Sequence, residues 1–329
     1  MGKGIWRWGV VLAAWAALAY GCAPSIRLFS DAGDPLQEYT LEGEGRGRVL
    51  VIPVRGILSD APDRGWIRTR PSVVAEVASR LRKAEKDDRI RAVVLQIDSP
   101  GGTATAGDLL YHEISGFKAR TGTRVVVAMM NVAASGGYYI SLPADYILAH
   151  PTTITGSVGV IFLRPGITGL MQKIGLDVDV YKTGENKDMG AFFRPPTDVE
   201  RKIMASLISR LGDRFLDLVK QHRPVSAAGM ETIATARIFL AEEALELGMI
   251  DAVGYLDDAL AKARDLAGLP PEARVVVYRR AEFPDDTLYN TPAAEGHGRT
   301  PSLLPAGIPL PARLDTGFYY LWHPGAPHE

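Results

Sequence analysis

The sequence predicts an α/β fold in which parallel strands are joined by crossover helices. Residues 91–97 and 124–130 are mainly apolar and β-branched, which is typical of strands buried on both faces of a sheet. Each run leads into a turn with two glycines and then into a segment with helical features, at 103–118 and 138–142. Strands and helices that alternate in this way form a parallel sheet within one domain.

Composition and charge exclude several classes of protein. The 329 residues, 47% of them hydrophobic, are enough to bury one substantial core. The 37 basic and 38 acidic residues give a formal charge of −1 without a basic stripe, so we expect no nucleic-acid partner. The six histidines form no metal-binding motif, so no metal ion or other cofactor is expected. The single cysteine, Cys22, excludes an intrachain disulfide.

Residues 1–22 are predicted to be a signal or anchor segment. Lys3 and Arg7 precede an uncharged, apolar stretch, which places the N-terminus in the cytoplasm and sends the following chain across the membrane. The stretch is about long enough to span a bilayer as an uncleaved anchor. Alternatively, residues 18–22 resemble a bacterial lipobox in which Cys22 is lipidated. Both interpretations tether the domain to a bacterial cell membrane on its extracytoplasmic, periplasmic side.

The domain itself is predicted at residues 48–281. A polar, glycine-rich linker at 23–47 precedes it, and a proline- and glycine-rich tail at 282–329 follows it. The first strand, residues 48–54, contains Pro53, which indicates a sheet edge or a bulge.

Apolar spacing predicts the remaining elements of the domain. Further helices are expected at 72–86, 166–175, 197–221, 241–247 and 255–267, and further strands at 145–149, 178–181 and 274–278. Residues 155–160 are predicted to be a glycine-spaced loop. The aromatic cluster at 318–322 is expected to dock on the domain, with a neighbouring molecule and the membrane as alternative contacts.

Ser135 is a candidate nucleophile because it lies at a strand-to-helix turn and is followed by two glycines. Small residues let a substrate backbone approach, and a helix N-terminus offers N–H groups to a developing negative charge. The alternative is a tight turn whose serine caps the helix. The preceding strand ends in a similar turn, residues 98–102, with the sequence Asp-Ser-Pro-Gly-Gly. Two such turns at one sheet edge could supply a nucleophile and an oxyanion cradle.

The two turns and the loop at 155–160 together resemble the signal peptide peptidase A family of membrane-bound serine peptidases. Their order, spacing and flanking strands match from about residue 48 to residue 278. The resemblance implies the repeated β-β-α superhelix shared by Clp proteases and crotonases. It also implies that Ser135 is the nucleophile of a serine endopeptidase. The oxyanion donors are then the backbone N–H groups of Gly136 and of Gly101 or Gly102.

The general base comes from the same resemblance, since no His/Asp pair is evident in the sequence. The family's base falls on Lys187, and Ser157 is the position of a hydroxyl that orients this lysine. A lysine with an ordinary pKa of about 10.4 must be buried to act as a base at neutral pH, with its pKa lowered by about 2–3 units. Asp188 is therefore expected to point away from the amine, and Lys182 to be a solvated surface charge.

Each motif occurs once, so the sequence resembles the half-length form of the family. In this form, the serine and lysine of one site come from adjacent protomers, which implies a ring-like homo-oligomer near the membrane. The expected substrates are extended, apolar peptides such as signal peptide remnants. Two alternatives remain open. One is a crotonase-like acyl-transfer enzyme, and the other is a non-enzymatic membrane scaffold on a peptidase fold.

Overall fold

The computed structural model describes four stretches of the chain, residues 34–64, 69–280, 287–288 and 317–322. The elements described below belong to one unit that begins at Leu36. The predicted anchor segment and Cys22 lie outside the described residues, as do the first part of the predicted linker and most of the predicted tail.

The described residues form fourteen strands and eight helices. The strands are β1 (Gln37–Glu42), β2 (Gly45–Arg55), β3 (Asp63–Arg64), β4 (Thr69–Arg70), β5 (Ile90–Ser99), β6 (Gly101–Thr103), β7 (Arg124–Ala134), β8 (Tyr146–Ala149), β9 (Ile154–Gly156), β10 (Ile161–Leu163), β11 (Ile238–Leu240), β12 (Ala252–Val253), β13 (Ala273–Arg279) and β14 (Gly317–Leu321). The helices are α1 (Val73–Ala84), α2 (Ala104–Thr121), α3 (Gly136–Tyr139), α4 (Thr168–Ile174), α5 (Asp198–His222), α6 (Ala227–Ala234), α7 (Ala241–Glu246) and α8 (Leu256–Leu266).

A central sheet carries the fold, with its strands in the order β1-β13-β2-β5-β7-β8-β12. All neighbouring pairs from β13 to β12 are parallel, and only β1 is antiparallel to its neighbour. The far end of β7 also pairs with β9, which in turn pairs with β11. The predicted α/β class, with parallel strands and crossover helices, is confirmed. A separate three-stranded sheet has the order β10-β14-β6.

Both faces of the central sheet are buried, which explains why its strands are continuously apolar. Val93 and Leu95 of β5 belong to the larger core cluster, which also contains Leu110 of α2. Val94, on the opposite face, packs in a second cluster together with Leu260 of α8. Helices therefore cover both faces of the sheet. This layered packing holds the strands in position, and with them the edge of the sheet at which they end.

The strand that contains Pro53 is not an edge strand of the sheet. Its strand, β2, lies inside the sheet between β13 and β5. The pairing with β13 ends at Val51, whereas the pairing with β5 continues to Arg55. The proline is therefore tolerated because it lies beyond the part of β2 that has two hydrogen-bonded neighbours.

The predicted strand at residues 178–181 is wrong. This stretch contains no regular secondary structure and lies between α4 and α5. Its apolar side chains are exposed, including Val178, Val180 and Tyr181, the last of which is 96% exposed. Alternation of apolar residues predicts a strand only where a sheet edge is available, and this segment has none within the described chain.

Two segments predicted as linker and tail contribute strands to the fold. β1 lies within the predicted linker and pairs antiparallel with β13 at the edge of the central sheet. An ion pair between Glu38 of β1 and Arg48 of β2, at 3.0 Å, adds a second contact. β14 lies within the predicted tail and contains most of its aromatic cluster, which docks on the domain as expected.

Helix α2 allows a test of the core because it carries one buried and one exposed large side chain. Phe117 is fully buried, whereas Leu109 is 40% exposed. We expect Phe117→Ala to lower the free energy of unfolding by about 3–5 kcal/mol, through lost burial and a cavity. The matched control, Leu109→Ala, should cost less than about 1 kcal/mol. Chemical denaturation measures both, and equal effects would contradict the described packing.

Candidate active site

The parallel register of β5 and β7 brings the two glycine turns together. Ser99 at the end of β5 pairs with Ala133 near the end of β7, so the chains leave the sheet at the same edge. Gly101 and Gly136 then lie in direct contact, since a Cβ built on Gly136 would be 3.0 Å from the Gly101 Cα. The structure therefore places Ser135 beside the turn at residues 98–102.

Ser135 has a strained and firmly held backbone. Its φ of 52° and ψ of −116° are rare for a residue with a side chain. Its N–H donates to the Gly156 carbonyl at 2.7 Å, and its own carbonyl accepts from the Tyr139 N–H at 2.9 Å. Strain of this kind persists only where surrounding contacts impose it, and it concentrates at functional sites.

The Ser135 side chain makes no capping hydrogen bond to α3, which excludes the interpretation of this serine as a helix cap. Its hydroxyl oxygen is buried and has no hydrogen-bond partner among the described residues. Buried polar groups are nearly always paired, so a lone hydroxyl at a strained turn indicates a group kept for another purpose. A nucleophile that awaits its base and substrate has these properties.

The three glycines proposed as oxyanion donors are all buried, and two of them, Gly101 and Gly136, are in contact with each other. The Gly101 N–H donates to the Ser99 hydroxyl at 3.1 Å, and Gly101 has a φ of +99°. Gly136 is the first residue of α3, where helical N–H groups have no acceptor within the helix. Gly102 presents its backbone toward β14, because Thr103 and Gly101 on either side of it bond to Leu58.

Two tyrosines, which the sequence reasoning left without a role, anchor the short helix α3. Tyr138 donates its hydroxyl to the Met249 carbonyl at 2.9 Å, and Tyr139 donates to the Asp108 carboxylate at 2.7 Å. Burial raises the pKa of both tyrosines well above the ordinary value. Both rings also pack on Phe215 of α5. These contacts hold a four-residue helix in place, and Ser135 with it.

Ser157 lies next to Ser135 because β9 runs alongside the end of β7. The register pairs Ala134 with Gly156, so each serine is one residue beyond a paired position. Ser157 is half-buried, has a φ of 51°, and donates its N–H to the Arg237 carbonyl at 2.8 Å. The two serines therefore share the strained turn region, although part of the predicted loop at 155–160 is strand.

Lys187 lies in the segment between α4 and α5, and its side chain is exposed. Its N–H donates to the Gly184 carbonyl at 3.1 Å, within a turn. The Ser135 hydroxyl has no partner among the described residues, so Lys187 does not bond to it within one chain. The burial that a neutral lysine requires is therefore not supplied by the described part of a single chain.

The Asp188 carboxylate pairs with cationic side chains other than that of Lys187, as expected if Lys187 acts as a base. Its carboxylate accepts from the Lys182 amine at 2.6 Å and from the Arg194 guanidinium at 2.8 Å. Lys182 is therefore ion-paired rather than simply solvated. These bonds hold the pKa of the Asp188 carboxyl well below its ordinary value.

Arg194 also ties the Lys187 segment to the beginning of α5. Its guanidinium donates to both carboxylate oxygens of Glu200, whose side chain is 1% exposed. Glu200 accepts in addition from the Thr197 N–H at 2.8 Å, which completes a capping box. The Arg194 bond, helped by Thr197, lowers the pKa of Glu200 to about 2. A buried ionic cluster, unrecognised in the sequence, thus fixes one end of the segment.

The described residues contain no group of three or more histidine, cysteine or acidic residues placed to bind a metal ion. None of their helices combines the length and apolarity needed to cross a bilayer.

Comparisons with known proteins point to one family. Residues 118–270 match the family described as peptidase family S49. A protein of Synechocystis named as a protease is 34% identical over 210 residues, which cover 62% of this chain and 75% of that protein. A protein of Enterococcus faecium named for signal peptide peptidase SppA is 29% identical over 253 residues, which cover 77% of this chain and 73% of that protein.

Other matches differ in how much of each protein they cover. Protease 4 of Haemophilus influenzae is 34% identical over 255 residues, which cover 78% of this chain but only 40% of that protein. Among solved structures, a ClpP1 mutant of Listeria monocytogenes is 19% identical, with a TM-score of 0.42 and coverage of 64% of this chain and 94% of that chain.

The Glu200 cluster predicts a specific pH dependence of stability. Its folded pKa lies below the unfolded value of about 4.3, so its stabilising contribution is present near neutral pH and is lost as pH falls toward 2. We expect the difference in unfolding free energy between the wild type and Glu200→Gln to shrink between pH 6 and pH 3. Denaturation at a series of pH values measures it, with Glu246→Gln on α7 as an exposed control. A pH-independent difference for Glu200→Gln would contradict the cluster.

Proposed function

Because the chain belongs to peptidase family S49, we propose that it is a serine endopeptidase in which Ser135 is the nucleophile and Lys187 the general base. The observation that carries this proposal is the Ser135 hydroxyl, which is buried, unpartnered and held on a strained turn among glycines. The expected substrates are extended apolar peptides, such as signal peptide remnants. The name of the Enterococcus relative supports this substrate class.

The proposed reaction is acyl transfer followed by hydrolysis. The Ser135 oxygen attacks the scissile carbonyl while the Lys187 amine accepts the serine proton. The amine then delivers this proton to the leaving nitrogen, and water hydrolyses the acyl-enzyme. Backbone N–H groups of Gly136 and of Gly101 or Gly102 hold the oxyanion, and each such donor is typically worth about 10²–10³ in rate. Ser157 is proposed to orient the lysine.

A second protomer is proposed to complete the site. Lys187 is exposed in the single chain, so the burial that its role requires would come from a neighbour. Helix α4 and the segment that follows it present exposed apolar side chains to solvent, among them Leu170, Ile174 and Tyr181. A concentration of exposed apolar side chains in one stretch of the chain is a feature of subunit interfaces. We therefore propose a ring-like homo-oligomer that is tethered to the membrane outside the cytoplasm through residues 1–22.

Substitutions at the proposed dyad test the assignment of roles. Ser135→Ala and Lys187→Ala should each lower peptide cleavage by roughly 10³-fold or more, because each removes a group that acts in the chemical step. Lys182→Ala is the matched control, since this lysine pairs with Asp188 on the same segment. Cleavage of a fluorogenic peptide and labelling by a serine-reactive probe measure the outcome. Activity that survives Lys187→Ala but not Lys182→Ala would overturn the base assignment.

Mixed oligomers test the shared site directly. Ser135→Ala protomers retain the lysine, and Lys187→Ala protomers retain the serine. If one site takes each residue from a different protomer, co-assembled rings should regain roughly a quarter of the wild-type sites, as random mixing of two subunit types gives. The two inactive variants are co-expressed and assayed together, with each variant alone as the control. A mixture as inactive as its components would exclude a site shared between protomers.

A further inference from the structure

Strand β14 lies between two strands that meet no other strand of the described chain along their length. It pairs antiparallel with β10 on one side and with β6 on the other. On its other side β6 forms only an isolated bridge with Leu58, through two backbone hydrogen bonds that involve Gly101 and Thr103. Without β14, the facing edges of β6 and β10 would border a slot one strand wide. Proteins commonly bind extended peptides along exposed strand edges of this kind, through main-chain hydrogen bonds.

The register places β14 on the proposed oxyanion turn. Leu321 pairs with Gly101, Tyr320 pairs with Gly102, and the Trp322 N–H donates to the Pro100 carbonyl at 2.8 Å. Hydrogen-bonded and non-bonded pairs alternate in an antiparallel ladder, so Tyr320 and Gly102 form a hydrogen-bonded pair. A backbone N–H that is a candidate for binding the oxyanion is therefore already engaged by β14.

The Tyr320 carbonyl lies against both glycines that flank the nucleophile. A Cβ built on Gly101 would be 1.9 Å from the Tyr320 oxygen, and one built on Gly136 would be 3.0 Å from it. No side chain fits at Gly101 while this strand is in place. The space next to Ser135 therefore holds one extended backbone at a time.

Tyr320 fills an aromatic pocket that begins at the nucleophile's own helix. Its ring stacks on Tyr139 with centroids 5.0 Å apart, and it meets the edge of Phe215 at 5.2 Å. The hydroxyl donates to the Leu211 carbonyl at 3.0 Å. The side chain is 1% exposed, and burial raises its pKa to about 12. The pocket therefore suits an aromatic side chain, and the Leu211 carbonyl accepts a hydrogen bond from a hydroxyl at the end of the ring.

We propose that β14 is an autoinhibitory strand that occupies the peptide groove, and that the Tyr320 pocket is a subsite for an aromatic side chain of the substrate. This inference rests on the proposed peptidase function, since it identifies the groove of that site. A tethered occupant competes at an effective concentration in the millimolar range, so a dilute short peptide gains access only when β14 leaves. Long apolar substrates, with more contacts, displace it more readily.

Substitutions in the full-length chain test the inhibition. Tyr320→Ala removes the ring from the pocket. Phe318→Asp removes the contact with Phe162 and should weaken the docking of β14, and because Phe318 is half-exposed the substitution leaves no cavity in the core. Both should raise kcat/KM for a short fluorogenic peptide about tenfold and speed labelling of Ser135 by a serine-reactive probe. Tyr320→Phe keeps the stacked ring and should stay close to wild type. Tyr255→Ala, on an exposed tyrosine remote in sequence from β14, is the control and should have no effect.

A binding measurement keeps the inference separate from catalysis. A fluorescent hexapeptide with the sequence of residues 317–322 is titrated into the full-length Ser135→Ala/Phe318→Asp chain, and anisotropy reports binding. We expect it to bind at least tenfold more tightly than the same peptide with alanine in place of the residue that corresponds to Tyr320.

The outcomes separate the two proposals. Tyrosine-dependent peptide binding without cleavage by any chain would support the groove and overturn the peptidase function. Normal cleavage by the wild type, with no increase in either folded tail variant, would overturn autoinhibition while leaving the peptidase function in place. Circular dichroism and thermal melting verify that Tyr320→Ala and Phe318→Asp are folded. If Tyr320→Ala is not folded, Phe318→Asp decides the test.

Discussion

The parallel pairing of β5 with β7 is the constraint on which the rest of the site depends. Because Ser99 lies opposite Ala133, the two chains leave the sheet together, and Gly101 meets Gly136 beyond the edge. A slip of one residue would turn every side chain of β7 to the other face of the sheet. Both faces are buried, so the core resists such a slip. Packing far from Ser135 therefore determines where its hydroxyl lies.

The amino-acid sequence is sufficient to predict those parts of the fold that depend on local sequence pattern. Buried strands with glycine turns were recognisable, and so were the two turns that meet at Ser135. The edge strand β1 and the docked strand β14 were assigned to linker and tail, because their pairing partners are distant in sequence. Residues 178–181 show the opposite case, a predicted strand that does not form. They have the alternation of a strand, but no sheet edge in the described chain receives them. Strand formation depends on a partner as well as on propensity.

The two halves of the proposed dyad differ in how the chain holds them. Ser135 is fixed by backbone bonds on both sides and by the anchored tyrosines of α3. Lys187 is exposed on a segment without helix or strand, although the Arg194 cluster fixes one end of that segment. This asymmetry agrees with the proposed site, in which the serine is positioned within one chain and the lysine is buried by a neighbouring protomer. It also suggests why sequence patterns identify the serine more readily than the lysine.

The position of β14 beside Gly101 and Gly136 also bears on the kind of substrate that the proposed groove would bind. Close approach at Gly101 and Gly136 admits any extended backbone, so it confers no preference for a particular sequence. Preference must come from the side-chain pocket, which Tyr139 and Phe215 line with aromatic surface. Such a pocket favours large apolar or aromatic groups through burial. The proposed inhibitory strand and the proposed apolar substrate would therefore use the same two features, so that binding of one would exclude the other.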